Sequence, residues 1–244
     1  MRTAVVVFPG SNCDRDARDA ILDMGLGPVD MVWHSEDGFP EAPDLVLLPG
    51  GFSYGDYLRS GALAARSNIM RAVRAHAMSG GLVLGICNGF QILTEARLLP
   101  GALLPNSNLR FICSPCHIRV ERNNTPFTRS FPERQVVQFP IAHHEGLFFL
   151  PPDELDELEE RHQVVFRYAD PVTREAGAPH APNGALNGIA GIISREGNVL
   201  GLMPHPERAT LKYLIRGTDG RGLWQSLGEH FGAFNVSPGR EDVR

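Results

Sequence analysis

Residues 82–93 read LVLGICNGFQIL, and this stretch decides the fold. Its first five residues are apolar and predict a buried strand, and the residues after Cys87 predict a short helix. Glycines stand two positions before and two positions after the cysteine, which is the G-x-S-x-G spacing with sulfur in place of oxygen. A turn this sharp leaves no space for a Cβ atom at Gly85 or Gly89. The stretch therefore predicts a strand–turn–helix unit.

Cys87 is the candidate nucleophile of this unit. A helix N-terminus beside the thiol favours the thiolate, and the backbone N–H of Asn88 points to where an oxyanion would form. The alternative is a structural cysteine buried in a tight turn. The two glycines and the strand–turn–helix context favour the nucleophile.

Strands and helices alternate through the first hundred residues. Apolar runs predict strands at 4–8, 29–33 and 45–48, and amphipathic patterns predict one helix that Gly25 closes and another that Gly80 ends. Continuous apolar strands between such helices are typical of a parallel sheet covered on both faces. We therefore expect a three-layer, flavodoxin-like α/β domain with a mainly parallel sheet.

The second half of the chain is richer in strands. Candidates lie near 110–121, 135–142, 164–168, 189–193 and 199–203, the last two joined by a plausible hairpin turn. Residues 170–186 are rich in Pro, Gly and Ala and predict a long surface loop. A final helix is expected near 222–231. We expect one domain over residues 1–232 and a C-terminal tail over 233–244.

Composition narrows the function classes. The chain has 244 residues, of which 43% are hydrophobic, and a net charge of −5, which excludes wholesale disorder and gives no basic field for nucleic acid. Six acids between 153 and 160 predict a solvated helix face. No apolar run reaches membrane-helix length and no signal-peptide pattern is present, so we expect a cytoplasmic protein that does not bind membranes. Four cysteines do not make a disulfide framework.

His205 is the candidate base. It follows the predicted strand 199–203 and precedes Pro206, which favours an extended conformation, so we expect His205 and Glu207 to project to the same side. A carboxylate in that position can hold the histidine tautomer and stabilise the imidazolium. The alternative is a surface His–Glu pair at a strand end.

Gly50 and Gly51 follow the strand 45–48. Two glycines at the carboxyl edge of a parallel strand allow bare N–H groups to approach a ligand, and active sites of open α/β sheets form at that edge. No Gly-Lys-Ser/Thr follows, so the pattern is not a phosphate-binding Walker loop.

Cys87 in its turn, Gly50-Gly51 and His205-x-Glu207 together resemble the triad glutamine amidotransferases. Within that family the match is closer to glutaminase subunits of purine biosynthesis. The matching segments span nearly the whole chain in order, at 8–14, 32–34, 49–59, 85–93, 98–102, 189–192 and 197–208.

The resemblance implies hydrolysis of glutamine to glutamate and ammonia. It makes Cys87 the nucleophile that forms a γ-glutamyl thioester, His205 the group that protonates the departing ammonia and then activates water, and Glu207 the residue that orients His205. It also makes the N–H groups of Gly51 and Asn88 the oxyanion hole.

The resemblance further implies the ligands and partners. Gly50, Gln91, His143 and His144 are the implied substrate-binding residues, with L-glutamine as the substrate. Ammonia is expected to pass to a large ATP-dependent synthase subunit, with a small accessory subunit in the same complex. No metal or cofactor is expected in this subunit, and ATP and Mg are expected on the synthase subunit.

The sequence departs from the family at three places. His144 stands where the family usually has glycine, and the loop 170–186 is longer than the usual Asn-Pro-Asn-Gly connection, of which 181–184 is a candidate remnant. Cys116 replaces an apolar residue and completes a C-x-x-C-H motif at 113–117. That motif leaves haem attachment or a zinc site as alternatives to two incidental thiols in a strand.

Two other functions stay open beside the glutaminase. One is a cysteine hydrolase of similar fold that acts on another amide or a peptide; in such folds the histidine often follows the cysteine directly, whereas Asn88 does so here. The other is a catalytically silent interaction subunit, against which the presence of Cys87, His205 and Glu207 argues.

Overall fold

A nine-stranded sheet organises the molecule in a computed structural model that describes residues 1–210 and 217–234. The strands in sheet order are β2-β1-β3-β4-β11-β10-β9-β6-β7, and β5 and β8 form a separate antiparallel pair. In chain order their bounds are β1 Thr3–Val7, β2 Val29–Trp33, β3 Leu45–Leu48, β4 Leu82–Ile86, β5 Ala102–Leu104, β6 Ile112–Val120, β7 Val136–His143, β8 Leu147–Phe149, β9 Val164–Tyr168, β10 Ile189–Ile193 and β11 Val199–Leu202.

Five strands, from β2 to β11 in sheet order, form a parallel half. Every residue of β3, β4 and β11 is buried, although successive side chains point to opposite faces. Both faces of the sheet are therefore covered, as the continuous apolar runs predict, and the carboxyl ends of these strands meet at one edge.

The other four strands, β10, β9, β6 and β7, extend the sheet by antiparallel pairing. β6 and β7 pair over eight residues each, from Ile112 opposite His143 to Arg119 opposite Val136. The α/β class is confirmed. The predicted parallel pairing holds for one half of the sheet, and the other half adds an equal number of antiparallel pairings.

Five α-helices lie in the described residues: α1 Asp14–Asp23, α2 Ile69–Met78, α3 Asn88–Glu95, α4 Pro152–Glu160 and α5 Arg221–His230. α1 and α2 each bury one apolar side against the sheet, as their spacing predicts. The first seven residues of α3 are all buried, so the helix that follows Cys87 lies in the core. α4 carries the six predicted acids, with only Leu158 buried. No helix in these residues is long and apolar enough to span a membrane.

The structure differs from the sequence predictions at two places. β5 and β8 were not predicted, because a three-residue strand is too short for an alternating pattern to show. The loop 170–186 is not wholly on the surface: Asn183 is fully buried and donates hydrogen bonds to the carbonyl of Gly146 (2.7 Å) and the hydroxyl of Tyr168 (3.1 Å). Of the predicted tail, residues 235–244 lie outside the described part, and the boundary at 232 stays a prediction.

Candidate active site

Cys87 occupies a strained turn between β4 and α3. Its backbone adopts φ 50° and ψ −104°, a region that residues with a Cβ rarely enter. A Cβ on Gly89 would lie 1.9 Å from the carbonyl oxygen of Leu48, and a Cβ on Gly85 would lie 2.7 Å from the backbone of Gly89. The close approach predicted for both glycines is confirmed. The turn places the thiol at the first N–H groups of α3, which have no acceptor within the helix.

His205 lies just after β11 and is held by Glu207. Its Nδ1 donates to Glu207 Oε1 at 2.6 Å, and the two side chains are 2% and 0% exposed. The predicted proximity of the two side chains is confirmed. Pro206 has helical angles and Glu207 begins a short 3-10 helix, so the chain turns and brings the carboxylate back to the ring.

A second thiol lies beside His205. Cys13 immediately precedes α1 and is 2% exposed, and both Cys13 and Cys87 lie close enough to interact with the imidazole. The sequence argument missed Cys13. The signal was available, because Cys13 follows β1, and β1 ends at the same sheet edge as β4 and β11.

The two glycines after β3 have different surroundings. A Cβ on Gly50 would lie 2.7 Å from His205 Cε1 and 3.0 Å from Cys13 Sγ, so Gly50 packs against the histidine. Gly51 has φ 151° and lines the pocket beside Cys87. Glycine is needed at position 50 because the imidazole fills the space of a side chain.

A chain of hydrogen bonds joins the walls around Cys87. The backbone N–H of Ser53 donates to Asn88 Oδ1 (3.1 Å), Asn88 Nδ2 donates to Gln91 Oε1 (2.8 Å), and Gln91 Nε2 donates to the carbonyl of Glu145 (2.6 Å). Gln91 therefore connects α3 to the segment after β7. One of its N–H groups and one lone pair remain for a ligand.

A pocket of about 230 Å³ opens beside Cys87. Its lining comes from the loop after β3, from α3 and from the end of β7: Gly51, Phe52, Asp56, Ser60, Cys87, Gln91, Ala142, His143, His144 and Glu145. Cys87 Sγ lies 3.8 Å from the carbonyl of Ala142. Cys13 is not part of this lining, so Cys87 is the thiol that a ligand in the pocket would meet.

His143 has a fixed tautomer. Asn106 Nδ2 donates to the carbonyls of Arg110 (2.8 Å) and His143 (3.0 Å), so its Oδ1 is the acceptor that faces His143 Nδ1 at 3.1 Å. Nδ1 therefore carries the proton and Nε2 is a lone-pair acceptor. Nε2 is buried and has no hydrogen-bond partner among residues 1–210 and 217–234.

The two buried histidines of the site, His143 and His205, differ in charge. Burial, and to a smaller extent the charge of the nearby His205, lower the pKa of His143 to about 4, so His143 is neutral. Burial also opposes protonation of His205, but the charges of Glu207 and Cys87 outweigh it and hold the pKa of His205 well above its usual range. The arrangement favours an imidazolium next to Cys87.

One group of side chains in the described ranges could hold a metal ion: donor atoms of Cys13, His205 and Glu207 all lie within 4.8 Å of one another. A metal there would compete with the hydrogen bond between His205 and Glu207. The C-x-x-C-H motif forms no such group, because β6 places Cys113 on an exposed position and buries Cys116.

Comparison with known proteins identifies the family. A model of the CobB/CobQ-like glutamine amidotransferase domain matches residues 1–231. The chain belongs to this glutamine amidotransferase family. A curated relative, the phosphoribosylformylglycinamidine synthase subunit PurQ of Thermus thermophilus, is 56% identical over 230 residues, which cover 93% of this chain and 97% of that protein. The solved structure of PurLQS from Thermotoga maritima contains a chain with 43% identity and a TM-score of 0.82, covering 94% of this chain and 98% of that one.

A second curated relative matches over a similar length of the chain. The protein of the same description from Rhodopseudomonas palustris is 51% identical over 230 residues, or 94% of this chain and 98% of the relative. The likeness to glutamine amidotransferases therefore covers both halves of the sheet.

Most of the residues expected from the amidotransferase resemblance converge. At one edge of the sheet, the structure brings together the following residues: Cys87, His205, Glu207, Gly51, Asn88, Gln91, His143 and His144. His144 is exposed and lines the pocket, so its side chain fits where the family usually has glycine. Gly50 lies behind His205 instead of in the pocket wall.

Proposed function

We propose that this chain is the glutaminase subunit of phosphoribosylformylglycinamidine synthase and hydrolyses L-glutamine through Cys87. The observation that carries the assignment is the position of His205, which is held by Glu207 at 2.6 Å and lies next to a thiol at the N-terminus of α3. Nucleophile, base and orienting carboxylate come from the ends of two adjacent parallel strands, β4 and β11.

The reaction has two halves. In the first, Cys87 Sγ attacks the carboxamide carbon, the C–N bond breaks, and His205 gives its proton to the departing nitrogen, which leaves as ammonia. In the second, His205 takes a proton from water, the resulting hydroxide attacks the thioester, and glutamate leaves as the thiolate reforms. Glu207 keeps the proton of His205 on Nδ1, so that Nε2 is the atom that exchanges protons.

The oxyanion of both tetrahedral intermediates is assigned to two backbone N–H groups. Asn88 supplies the first N–H of α3, where the helix dipole adds favourable charge, and Gly51 supplies a second from the opposite wall of the pocket. Removal of one such donor typically slows the chemical step by about 10²–10³-fold.

Cys87 and Cys13 compete for the role of nucleophile, and both precede a helix, but two observations favour Cys87. It lies in the strained turn and in the wall of the pocket. Cys13 lies outside the pocket lining, and burial raises the pKa of its thiol, which disfavours the thiolate.

The ammonia serves a synthase reaction. We infer that it passes to a large ATP-dependent subunit that converts formylglycinamide ribonucleotide to formylglycinamidine ribonucleotide in purine biosynthesis, with a small accessory subunit in the same complex. ATP and Mg belong on the large subunit in this proposal, and this subunit works without a cofactor or metal of its own in the cytoplasm. The solved PurLQS assembly supports the partnership.

Two cysteine variants test the assignment. Cys87→Ala should lower glutamine hydrolysis by at least about 10⁴-fold in the assembled complex, because the covalent route is lost. Cys13→Ala removes a thiol of equal size next to the same histidine and should retain activity within about tenfold. A glutamine-mimicking diazoketone, located by mass spectrometry, should label Cys87 alone. Activity that survives Cys87→Ala, or label on Cys13, would move the nucleophile to the other thiol.

A further inference from the structure

Cys13 is a buried thiol that the proposed reaction does not use. It immediately precedes α1, and its Sγ donates to Asn12 Oδ1 at 3.2 Å. A Cβ on Gly50 would lie 3.0 Å from this sulfur and 3.4 Å from His205 Nδ1, so the thiol and the Nδ1 edge of the imidazole border the same small space. The space is open because position 50 is a glycine, and it lies on the edge of the ring that Glu207 holds.

The thiol completes a set of three metal-binding side chains. Donor atoms of Cys13, His205 and Glu207 lie within 4.8 Å of one another, and all three side chains are buried. Glu207 uses Oε1 to accept from His205, but its Oε2 is also buried and has no hydrogen-bond partner in residues 1–210 and 217–234. A buried carboxylate oxygen without a partner is unfavourable, and a bound cation would satisfy it. Thiolate, imidazole and carboxylate are the usual ligands of Zn²⁺, whereas Mg²⁺ and Ca²⁺ prefer oxygen ligands, so the set favours Zn²⁺.

Nδ1 is the ring nitrogen that such an ion would contact. The carboxylate lies 2.6 Å from Nδ1, and Nε2 faces away from it on the other side of the imidazole. One ion can therefore contact both Glu207 and the ring only if it replaces the Nδ1 proton. Zn–N and Zn–O bonds are about 2.0–2.2 Å and Zn–S bonds about 2.3 Å, so the donors around a tetrahedral ion stand roughly 3.3–3.7 Å apart. The separations in the folded chain, none above 4.8 Å, need to change by no more than about 1.5 Å.

We propose that Cys13, His205 and Glu207 form an inhibitory site for Zn²⁺. Binding displaces the thiol proton of Cys13 and the Nδ1 proton of His205 into water, and the thiolate and the carboxylate balance the charge of the ion. The ring then carries its one proton on Nε2, so it has no lone pair with which to take a proton from water. A neutral ring also gives up that proton far less readily than an imidazolium does. The ion is an inhibitor and not a cofactor.

The site and its effect have different foundations. Binding rests on the positions of the three side chains alone, whereas the inhibition rests on the proposed function, in which His205 exchanges protons through Nε2. Cys87 takes no part in the site, because its sulfur lies on the pocket side and is not one of the three grouped donors. The site therefore predicts that sensitivity to Zn²⁺ depends on the thiol that is not the nucleophile.

The first test measures inhibition of glutamine hydrolysis by buffered free Zn²⁺ in the complex with the synthase subunits. The ion is added well before glutamine, because all three ligands are buried. Cys13→Ala should raise the half-inhibitory concentration by at least about a hundredfold, since loss of a group that only supports a metal ligand already costs tenfold to a hundredfold in affinity. Each variant is compared with itself without Zn²⁺, so a change in basal activity does not affect the result. Mg²⁺ at the same concentrations should not inhibit.

Two further variants control the first test. Cys13→Ser keeps the size of the side chain but offers a hydroxyl, which is a poor ligand for Zn²⁺, and should show the same resistance as Cys13→Ala. Cys116→Ala is the matched control, because Cys116 is also buried but lies outside the group of three donors. It should leave the half-inhibitory concentration unchanged.

A binding measurement separates failure of the site from failure of the proposed function. Cd²⁺ bound to a thiolate has an ultraviolet charge-transfer band, which the full chain with Cys87→Ala should show and the double variant with Cys13→Ala should lose. A band that survives in the double variant, or no band in Cys87→Ala, would overturn the site. Equal Zn²⁺ inhibition of the parent and Cys13→Ala would do the same, because the ion would then act at Cys87. If the parent complex does not hydrolyse glutamine while the band depends on Cys13, the proposed function fails and the metal site stands.

Discussion

The two halves of the sheet contribute different things to the same pocket. The parallel half supplies the reacting groups, because Cys87 and His205 follow neighbouring strands β4 and β11. The antiparallel half supplies one wall of the pocket, because Ala142 and His143 end β7 and Glu145 lies two residues beyond it. The reacting groups come from strand ends that parallel pairing aligns, whereas one wall of the pocket comes from a segment at the far edge of the sheet.

The two halves meet although four strand pairings separate β11 from β7. The sheet curves so far that the backbone N–H of His205 donates to the carbonyl of Pro140 at 2.9 Å, and Cys87 Sγ lies 3.8 Å from the carbonyl of Ala142. Substitutions in the parallel half should therefore change kcat, and substitutions in the antiparallel half should change KM.

The largest effect is expected for Glu207→Gln, in the parallel half. An amide cannot balance the imidazolium and allows the other tautomer, so kcat for glutamine should fall by about 10²–10⁴-fold with little change in KM. Steady-state kinetics of the assembled complex measures both constants. Glu196→Gln, an exposed position in the turn between β10 and β11, is the control. A Glu207→Gln enzyme whose KM rises while its kcat stays nearly unchanged would contradict the division between the halves.

The parallel half could be predicted from the sequence because its information is local. A run of apolar residues fixes each strand, and the residue after it is then at the reactive edge. Position after a strand, with the two glycines around Cys87 and the carboxylate two residues after His205, was enough for these two residues, and the role of Gly51 followed from the family resemblance. Cys13 lies six positions beyond the end of β1 and was missed because no glycine pattern marks it.

The antiparallel half could not be derived in this way. Nothing in the sequence near His143 shows that Asn106, 37 positions earlier, fixes its tautomer. Glu145 likewise lies in the pocket wall because the sheet curves, and that curvature depends on many strands at once. The family resemblance pointed to His143 and His144, but the reason for their position appears only in three dimensions. The short 3-10 helix that begins at Glu207 was not predicted either.

A smaller effect is expected for Asn106→Ala, in the antiparallel half. The variant removes the acceptor of His143 Nδ1–H and of the N–H of Gly146, both at 3.1 Å. The freed ring should no longer present Nε2 in a fixed direction, so KM for glutamine should rise by about tenfold while kcat changes less. The buried donors left without a partner should also lower the free energy of unfolding by roughly 1–3 kcal/mol. Asn108→Ala, at an exposed position in the same loop, should change neither quantity. A fall in kcat with KM unchanged would place His143 in the chemical step.

The smallest effect concerns stability where the two halves face each other, at Asp56 and Glu145. The pKa of Asp56 in the folded chain is about 6, above its ordinary value of 3.8, so Asp56 favours the folded state most below about pH 4 and this contribution is lost as the pH rises through 6. At pH 8 the folded chain holds a carboxylate that Glu145 repels, and Asp56→Asn removes the repulsion. Without glutamine, the Tm of Asp56→Asn should therefore exceed that of the parent chain at pH 8 by about 1–2 °C and match it at pH 4, a small difference because Asp56 is half exposed to water. Asp37→Asn, at an exposed position outside the pocket, should show no such pH-dependent gain. A lower Tm of the variant at pH 8 would mean that Asp56 stabilises the loop after β3.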